Sequence, residues 1–302
     1  MLEVKNITKK FADNVAVNNV SFNVENGRIF GLLGRNGAGK STIFRIILGI
    51  HKQDNGQITY NGKPIDERLK DKIGYLTEEG SLIENFTVIQ QFVYYGILKG
   101  LSESKVRKNA VKWLNEFKIS EYFNMKIKNL SKGNRQKIQF IVALLNDPEI
   151  LILDEPFSGL DPVSVEEFKN VILKLKEEGK IIIFSSHRMD HVEMLCEDIL
   201  ILEKGNTVLQ GEMSKIKNEY GNKKIYVEGV FEDFDVKELE KISGVENVLL
   251  DGNKLIISVI SSAVIKDVFD GLRGKNVTNF YTTDISLNEI FIDKVGKKYE
   301  DE

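Results

Sequence analysis

The sequence predicts an α/β protein built on a mixed β-sheet that helices cover on both faces, followed by a smaller α+β unit. Apolar strands such as RIFGLLG (28–34), EILILDEP (149–156) and KIIIFSSH (180–187) alternate with helical segments. Continuous apolar strands between helices are typical of a sheet that is buried on both faces. Residues 86–123 show helical patterns alone, and beyond residue 223 the order of elements changes.

The composition fits one large domain and one small domain. The chain has 302 residues, of which 42% are hydrophobic, so a substantial core can form. Its net charge of -3 arises from 42 basic and 45 acidic residues, which gives no overall basic footprint for nucleic acid. Cys196 is the single cysteine, so no disulfide can form within the chain, and we expect a small core residue there.

The sequence contains no stretch that is apolar enough to cross a bilayer. Its longest apolar runs, such as FIVALL and ILIL, are far shorter than the roughly 20 residues that a spanning helix needs. The opening MLEVKNITKKF lacks the apolar region of a signal peptide. We therefore expect a soluble chain that works at a membrane only through another chain.

Local signals mark the starts of two helices. Thr87 and Gln90 have the spacing of a capping box at the beginning of the helical region, where each side chain would bond a backbone N–H of the other residue. Asp161 followed by Pro162 predicts a second start, since aspartate is a good N-cap and proline is favoured at the first helical position.

The C-terminal unit has its own order of elements. A plausible linker, NEYGNKK (218–224), precedes it. Strand, helix, strand, strand, helix and strand then follow, which is the order of a ferredoxin-like fold. A last helix opens with Ser286 and Glu289 at capping-box spacing. We predict domains at 1–217 and 223–302; the smaller one has no motif for chemistry, and its fold alone indicates no function.

The segment GLLGRNGAGKST has the spacing of a phosphate-binding loop. A strand leads into Gly34, Gly37 and Gly39, and a helix follows from Lys40 and Ser41, as this loop requires. The glycines let backbone N–H groups curl around the β- and γ-phosphates, the lysine supplies a point charge, and the serine hydroxyl can ligate Mg²⁺. A chance glycine-rich turn is the alternative, and the flanking elements argue against it. The candidate binding residues are Gly34, Arg35, Asn36, Gly37, Ala38, Gly39, Lys40, Ser41 and Thr42.

Three further residues lie at the ends of apolar strands. Asp154 can hold Mg²⁺, and Glu155 directly after it can orient and polarise the attacking water. Burying unpaired charge is costly, so packing does not explain two acids there, although a solvated strand end remains the alternative. His187 ends the next strand and could hydrogen-bond the γ-phosphate; a structural histidine is the other reading, and both stay open.

The segment NLSKGNRQK predicts a second phosphate-facing loop. Ser131 and Gly133 come just before an amphipathic helix, where a serine cap, free N–H groups and the helix dipole favour an anion. Arg135, Gln136 and Lys137 could instead form an ordinary solvated face. Our hypothesis is that this loop serves a nucleotide held by another copy of the chain, so that two chains pack head to tail around two nucleotides.

These motifs together resemble the ATP-binding cassette (ABC) ATPase family over roughly residues 1–215. GRNGAGKST resembles its Walker A loop, LSKGN its signature, ILILDEP its Walker B strand, SGLD (158–161) its D-loop, and His187 its switch histidine. The resemblance implies a P-loop ABC-type nucleotide-binding domain with a helical subdomain at about 86–128. It also implies ATP and Mg²⁺ as cofactors and an ATP-sandwich dimer.

The resemblance assigns further roles to individual residues. Ser131 and Gly133 would contact the γ-phosphate bound by the partner chain, and Asp161 would support communication across the dimer. Phe11 matches the aromatic residue that stacks on adenine, and stacking does not require tyrosine. An apolar residue at a strand end remains the alternative for Phe11.

The sequence departs from the family pattern at two places. Lys132 and Asn134 replace the usual glycine and glutamine of the signature, and the helix start and its serine are kept. Glu78 stands where the family usually has a glutamine that contacts Mg²⁺ and the attacking water, with Glu79 as an alternative alignment. Glutamate can also ligate Mg²⁺, and it brings a negative charge to the site.

The resemblance predicts the ATP-hydrolysing subunit of a membrane transporter. Its dimer would be a homodimer or a cassette heterodimer, docked on a permease near residues 79–128 and therefore cytoplasmic and peripheral at the inner face of the membrane. The C-terminal unit resembles the accessory domain of exporter-type cassettes, which favours export; no nucleic acid partner is expected.

Two alternative functions belong to classes other than a transporter subunit. A non-transport cassette acting on a ribosome or on DNA would usually carry two cassettes or a long coiled coil, and this chain has one phosphate loop and no sustained heptads between residues 42 and 130. A regulatory ATP-binding module is the other alternative, in which the C-terminal unit senses a small molecule or strengthens the dimer.

Overall fold

The computed structural model describes residues 1–77, 80, 82–220, 223–231 and 236–296. Its contacts divide the chain into two compact units, which are described separately below: Met1–Gly211 and Glu212–Glu302. The domain bounds that the sequence suggests, at 217 and 223, remain predictions. Among the described residues, every helix is too short or too polar to span a bilayer.

The first unit combines two sheets with helices. Its strands are β1 (Leu2–Phe11), β2 (Asn14–Val24), β3 (Ile29–Gly34), β4 (Asn55–Tyr60), β5 (Lys63–Pro64), β6 (Ile73–Leu76), β7 (Ile150–Asp154), β8 (Ile181–Ser185), β9 (Asp198–Glu203) and β10 (Asn206–Glu212). Its α-helices are α1 (Lys40–Ile47), α2 (Glu67–Lys70), α3 (Val88–Leu98), α4 (Glu103–Glu116), α5 (Lys132–Leu144), α6 (Pro162–Glu177) and α7 (Met189–Leu195).

The larger sheet positions the phosphate loop. Its strand order is β10-β9-β3-β8-β7-β6, so β3 lies in the interior between β8 and β9 and pairs in parallel with both. Every residue of β3, β7 and β8 is buried, which confirms the covered sheet expected from their apolar runs. The second sheet, in the order β2-β1-β4-β5, is antiparallel.

A helical segment lies between β6 and α5, and backbone hydrogen bonds join its two ends. Thr87 caps α3 with a full capping box to Gln90, as predicted. The chain at the start of α3 pairs with the chain before α5: Val88 N donates to Met125 O at 3.0 Å, and Ile127 N donates to Phe86 O at 2.9 Å. These bonds tie the two ends of the helical segment together.

The second unit has the topology of a ferredoxin-like fold. Its sheet runs β12-β13-β11-β14 with antiparallel pairing, and the helices between the strands cover one apolar face. Ser286 and Glu289 form the predicted capping box. The elements are α8 (Met213–Tyr220), β11 (Lys223–Val230), α9 (Lys237–Glu240), β12 (Val245–Asp251), β13 (Lys254–Val259), α10 (Ile265–Gly271), β14 (Asn276–Asp284) and α11 (Leu287–Phe291).

The linker predicted at 218–224 is wrong at both ends. Residues 218–220 form the last turn of α8, and β11 already begins at Lys223. The polar and glycine-bearing composition of this stretch suggested a loop. Met213 and Ile216 are buried within α8, and burial of one apolar side can hold a short helix that composition alone does not favour.

Candidate functional site

The phosphate loop is shaped by glycines that have no room for a side chain. β3 ends at Gly34, and α1 begins at Lys40 with Gly39 as its N-cap in the left-handed region (φ 110°). A Cβ on Gly39 would lie 2.5 Å from Ala16 O, and one on Gly34 would lie 2.6 Å from Leu202 O. Only glycine fits these two positions without a shift of the backbone, so the loop can arch between strand and helix.

Lys40 lies against the inside of this arch. Its Nζ donates to the carbonyl oxygens of Gly34, at 2.7 Å, and Arg35, at 3.2 Å, and the residue is buried. The chain therefore holds a cation next to the loop's N–H groups, as a phosphate-binding loop requires.

The two acidic residues follow β7 directly beside the loop. Ser185, the register partner of Asp154 on β8, donates from Oγ to Asp154 Oδ1 at 2.6 Å and accepts from Glu155 N at 3.2 Å. Ser41 Oγ donates to Asp154 Oδ2 at 3.4 Å, and Tyr75 OH lies 3.5 Å from the same oxygen. The hydroxyl of Ser41 and the carboxylate of Asp154 are the hard oxygen donors that Mg²⁺ prefers, so this pair fits the predicted metal site.

Glu155 is buried in a conformation that is uncommon for its residue type. Its φ is 50° and only 6% of it is exposed. Burial raises the pKa of Glu155, and the neighbouring His187 and Lys40 partly offset that rise. His187 lies in the loop after β8, two residues beyond the strand end, and its Nδ1 is 2.9 Å from Glu155 Oε2. The structure thus joins these two candidate catalytic residues.

A cavity of about 430 Å³ lies over the phosphate loop. It unites most of the predicted nucleotide and metal residues, and it adds four residues that the sequence analysis did not identify: Asn14, Val15, Ala16 and Lys204. The predicted residues that line it are Asn36, Gly37, Ala38, Gly39, Lys40, Ser41, Thr42, Asp154 and Glu155.

Phe11 lies at the end of β1, outside the set of residues that line this cavity. Its ring meets His51 edge to face, with 5.3 Å between the ring centroids, and 42% of the residue is exposed. An exposed aromatic ring near the start of β2 is compatible with base stacking, and the adenine role of Phe11 stays a prediction.

The second phosphate-facing loop has the predicted helix start. Ser131 caps α5, and its Oγ accepts from Asn134 N at 3.2 Å. Ser131 and Gly133 do not line the cavity over the phosphate loop of their own chain. A Cβ on Gly133 would lie 3.5 Å from Ser164 Oγ, so this helix start packs directly against the beginning of α6.

Asp161 organises the beginning of α6. It is the N-cap, as predicted, and its carboxylate accepts from Val163 N and Ser164 N at 3.0 Å and from Ser164 Oγ at 2.8 Å. These hydrogen bonds, with Ser164 N first, lower the pKa of Asp161. Ser164 therefore bonds Asp161 and also lies close to Gly133 of the same chain.

Glu78 and Glu79, the residues aligned with the usual metal-contacting glutamine, lie outside the described residues. Other contacts escaped the sequence analysis. Ser185 and Tyr75 touch Asp154 from two neighbouring strands. Both residues lie near the carboxyl ends of parallel strands, and parallel strands bring these ends to one edge of a sheet. Predicting their contact with Asp154 would also have required knowledge of which strands are neighbours.

The sequence matches two known protein families and several curated relatives. Residues 17–158 match the ABC transporter family, and residues 211–295 match the C-terminal domain of DrrA1-3-like ATP-binding proteins. The uncharacterized ABC transporter ATP-binding protein YhaQ of Bacillus subtilis (strain 168) is 42% identical over 301 residues, which cover 99% of this chain and 100% of the relative. The chain belongs to the ABC transporter ATP-binding protein family. Members of this family hydrolyse ATP to drive transport, and this chain is such an ABC ATPase.

Other members of the family are similar over long stretches. The linearmycin resistance ATP-binding protein LnrL of B. subtilis (strain 168) is 31% identical over 313 residues, covering 100% of both chains. The Nod factor export ATP-binding protein I of Cupriavidus pinatubonensis is 28% identical over 310 residues, covering 100% of this chain and 92% of the relative. A dimeric ATP-binding cassette, MJ0796 bound to ADP and Pi, has a TM-score of 0.64 at 27% identity and covers 70% of this chain and 99% of that chain.

The helical segment of this ABC ATPase carries an apolar groove of about 460 Å³. Tyr94 and Ile97 on its wall are 45% and 53% exposed, and large exposed apolar patches mark surfaces that bind a partner. The groove lies within the predicted docking region, 79–128. Its lining residues are Phe86, Ile89, Gln90, Val93, Tyr94, Ile97, Glu103 and Arg107.

Proposed function

We propose that this ABC ATPase hydrolyses Mg-ATP as one half of an ATP-sandwich dimer and powers a separate membrane exporter. One observation supports the dimer: Ser131 and Gly133, in the second loop that we predict to face a phosphate, do not line the cavity over the first loop. Two chains related by a twofold axis give each loop a role, since each signature would cap the nucleotide of the other chain. The dimer is a homodimer or a pair of similar cassettes.

The residues around the cavity divide the chemistry among them. Ser41 and Asp154 would hold Mg²⁺, which neutralises charge on the phosphate oxygens when it is bound. Lys40 and the N–H groups of the loop bind the phosphates. Glu155, held at 2.9 Å by His187, orients the attacking water and accepts its proton. The Glu155–His187 pair would therefore place the base, and His187 would also reach the terminal phosphate.

The signature supplies the remaining contacts from the partner chain. Ser131 and Gly133 stand at the start of a helix of 13 residues, where N–H groups and the helix dipole favour the terminal phosphate. Gly133 packs beside Ser164, which bonds Asp161. A change at the D-loop of one chain would thus reach the signature of the same chain and, through it, the nucleotide of the other.

Coupling to transport takes place at the helical segment. The groove beside Tyr94 and Ile97 fits a short amphipathic helix of a permease, because such a helix would place its apolar side in a groove of this kind. Docking would put the ATPase at the cytoplasmic face of the membrane. Export is supported by the C-terminal unit, which matches the C-terminal domain of DrrA1-3-like ATP-binding proteins, and by relatives named for linearmycin resistance and Nod factor export.

The decisive experiment measures mass in solution with and without Mg-ATP. Glu155→Gln removes the base, so hydrolysis should fall about 100-fold or more and any ATP-bound dimer should accumulate. We expect this variant to be dimeric with Mg-ATP and monomeric without it. Glu155→Gln/Ser131→Arg should stay monomeric, because the arginine blocks the signature.

Ser102 provides the matched control, since it is also an exposed serine that caps a helix. Glu155→Gln/Ser102→Arg should dimerise like Glu155→Gln alone. A monomeric Glu155→Gln protein with ATP bound would contradict the sandwich for the isolated chain. A dimer that forms without ATP would instead place the interface elsewhere.

A further inference from the structure

The nucleotide cavity has a wall that no sequence motif of the family describes. Lys204 lines it together with Asn14, and Lys204 lies in the two-residue turn between β9 and β10. The turn has φ values of 47° at Lys204 and 79° at Gly205. Asn-Gly and Asp-Gly are the pairs that such turns favour, because both residues take positive φ. A lysine at the first position is therefore not explained by the turn itself.

Backbone hydrogen bonds join this turn to the phosphate loop and to β2. Gly205 N donates to Ala38 O at 3.0 Å, and Asn18 N donates to Gly205 O at 2.9 Å. A Cβ on Gly205 would lie 2.9 Å from Ala16 O, so the backbone of the turn approaches β2 as closely as glycine allows. The backbone of the turn that carries Lys204 is consequently held beside the phosphate loop.

Charged side chains of both signs line the cavity, and Lys204 is a cation there in addition to Lys40. Asp154 and Glu155 line it at the end of β7, and Lys40 bonds the arch of the loop from inside. Lys204 approaches from the opposite element, the turn that packs on Ala16 and Ala38. A bound triphosphate is an extended anion, and charge-assisted contacts along its length add affinity.

We propose that Lys204 is a nucleotide-binding residue that contacts the phosphate chain of the bound nucleotide. The inference rests on the proposed ATP site, and it adds a cation from outside the Walker, signature and switch motifs. The turn between β9 and β10 thereby serves as part of the nucleotide site as well as a connection between strands.

The variant Lys204→Asn tests whether Lys204 affects nucleotide affinity without lowering the stability of the fold. Asparagine suits a positive φ better than lysine does, so the variant should unfold at the same temperature or higher without nucleotide. Its affinity for Mg-ATP and Mg-ADP, measured by titration with a fluorescent ATP analogue and competition, should fall about 5- to 10-fold. Lys204→Arg should keep most of the affinity because it keeps the charge.

Lys118 is the matched control, because it is an exposed lysine with φ 54° that lies after α4, away from the cavity. Lys118→Asn should leave nucleotide affinity unchanged. Equal affinity of wild type and Lys204→Asn would overturn the inference and leave the ATP site intact. An equal loss in Lys204→Arg and Lys204→Asn would overturn it as well, since charge would not be the cause. If wild type itself failed to bind Mg-ATP, the proposed function would fail together with the inference.

Discussion

His187 Nδ1 lies 2.9 Å from Glu155 Oε2, so a side chain that is 60% exposed is joined to one that is 7% exposed. Burial raises the pKa of Glu155, and His187 is the first of the neighbours that offset the rise. His187 therefore favours the ionised form of a base that its burial would otherwise keep protonated. This relationship gives the ATPase a specific dependence on pH.

ATP hydrolysis should fall at acid pH with a midpoint above that of an ordinary glutamate. Glu155 can accept a proton only when it is ionised, and its raised pKa moves ionisation to higher pH. His187→Gln removes the partner that favours the ionised form, so its acid limb should shift further upward. The measurement is the pH profile of kcat/KM for wild type and His187→Gln, and an unchanged acid limb in His187→Gln would contradict this role of His187.

The same raised pKa predicts how stability varies with pH. Because the folded protein holds the Glu155 proton more tightly than the unfolded chain, stability falls as pH rises through the folded pKa. Glu155→Gln abolishes this dependence, so its gain over wild type in urea unfolding should be larger at pH 8 than at pH 4. An equal difference at both pH values would contradict the buried, raised-pKa state of Glu155.

Ser185→Ala should lower both the stability of the fold and the apparent affinity of the site for Mg²⁺. Its Oγ joins Asp154 and Glu155 within the sheet, and loss of a buried bridge of this kind costs about 1–3 kcal/mol. The apparent affinity of the ATPase for Mg²⁺ should fall in parallel, because Asp154 loses a partner that fixes its orientation.

Ser186→Ala is the control for that substitution. Ser186 is also buried, but its Oγ accepts from Arg188 N at 3.1 Å and does not touch either carboxylate. Urea unfolding and Mg²⁺ titration of hydrolysis should distinguish the two serines. Equal Mg²⁺ dependence in both variants would show that Ser185 does not position the metal ligand.

Phe11→Ala should weaken ATP binding and leave the binding of inorganic tripolyphosphate unchanged. Loss of one stacked aromatic ring costs about 1–3 kcal/mol per base, and tripolyphosphate has no base to stack. Phe11→Tyr should bind ATP like wild type. Equal losses for both ligands would indicate that Phe11 supports the phosphate loop and does not contact adenine.

The elements that the sequence predicted well are those whose signals are local. The capping boxes at Thr87 and Ser286 and the Asp161-Pro162 helix start all formed as expected, since each depends on a few adjacent residues. The apolar strands of the covered sheet were recognisable for the same reason. The phosphate loop is also local, because its strand, glycines and lysine follow one another directly.

The features that escaped prediction depend on contacts between distant residues. The turn that carries Lys204 lies beside the phosphate loop because β9 pairs with β3 and Gly205 bonds Ala38. Ser185 meets Asp154 because β7 and β8 are neighbours in register. The positive φ of Glu155 has no signal in its sequence, since glutamate seldom adopts it. The short helices α7 and α8 depend on burial of a few side chains, which propensity alone does not reveal.

The interior position of β3 has a consequence during synthesis. The ribosome delivers every residue of the phosphate loop early, but the neighbours of β3 in the sheet are β8 and β9, more than 140 residues later. Contacts of such long sequence separation form late and slowly. A nascent chain that has emerged only as far as α5 thus leaves both hydrogen-bonding edges of β3 without a partner strand. Until β8 and β9 have both emerged, β3 lacks one or both of its neighbours in the sheet, and the ATP site cannot yet form.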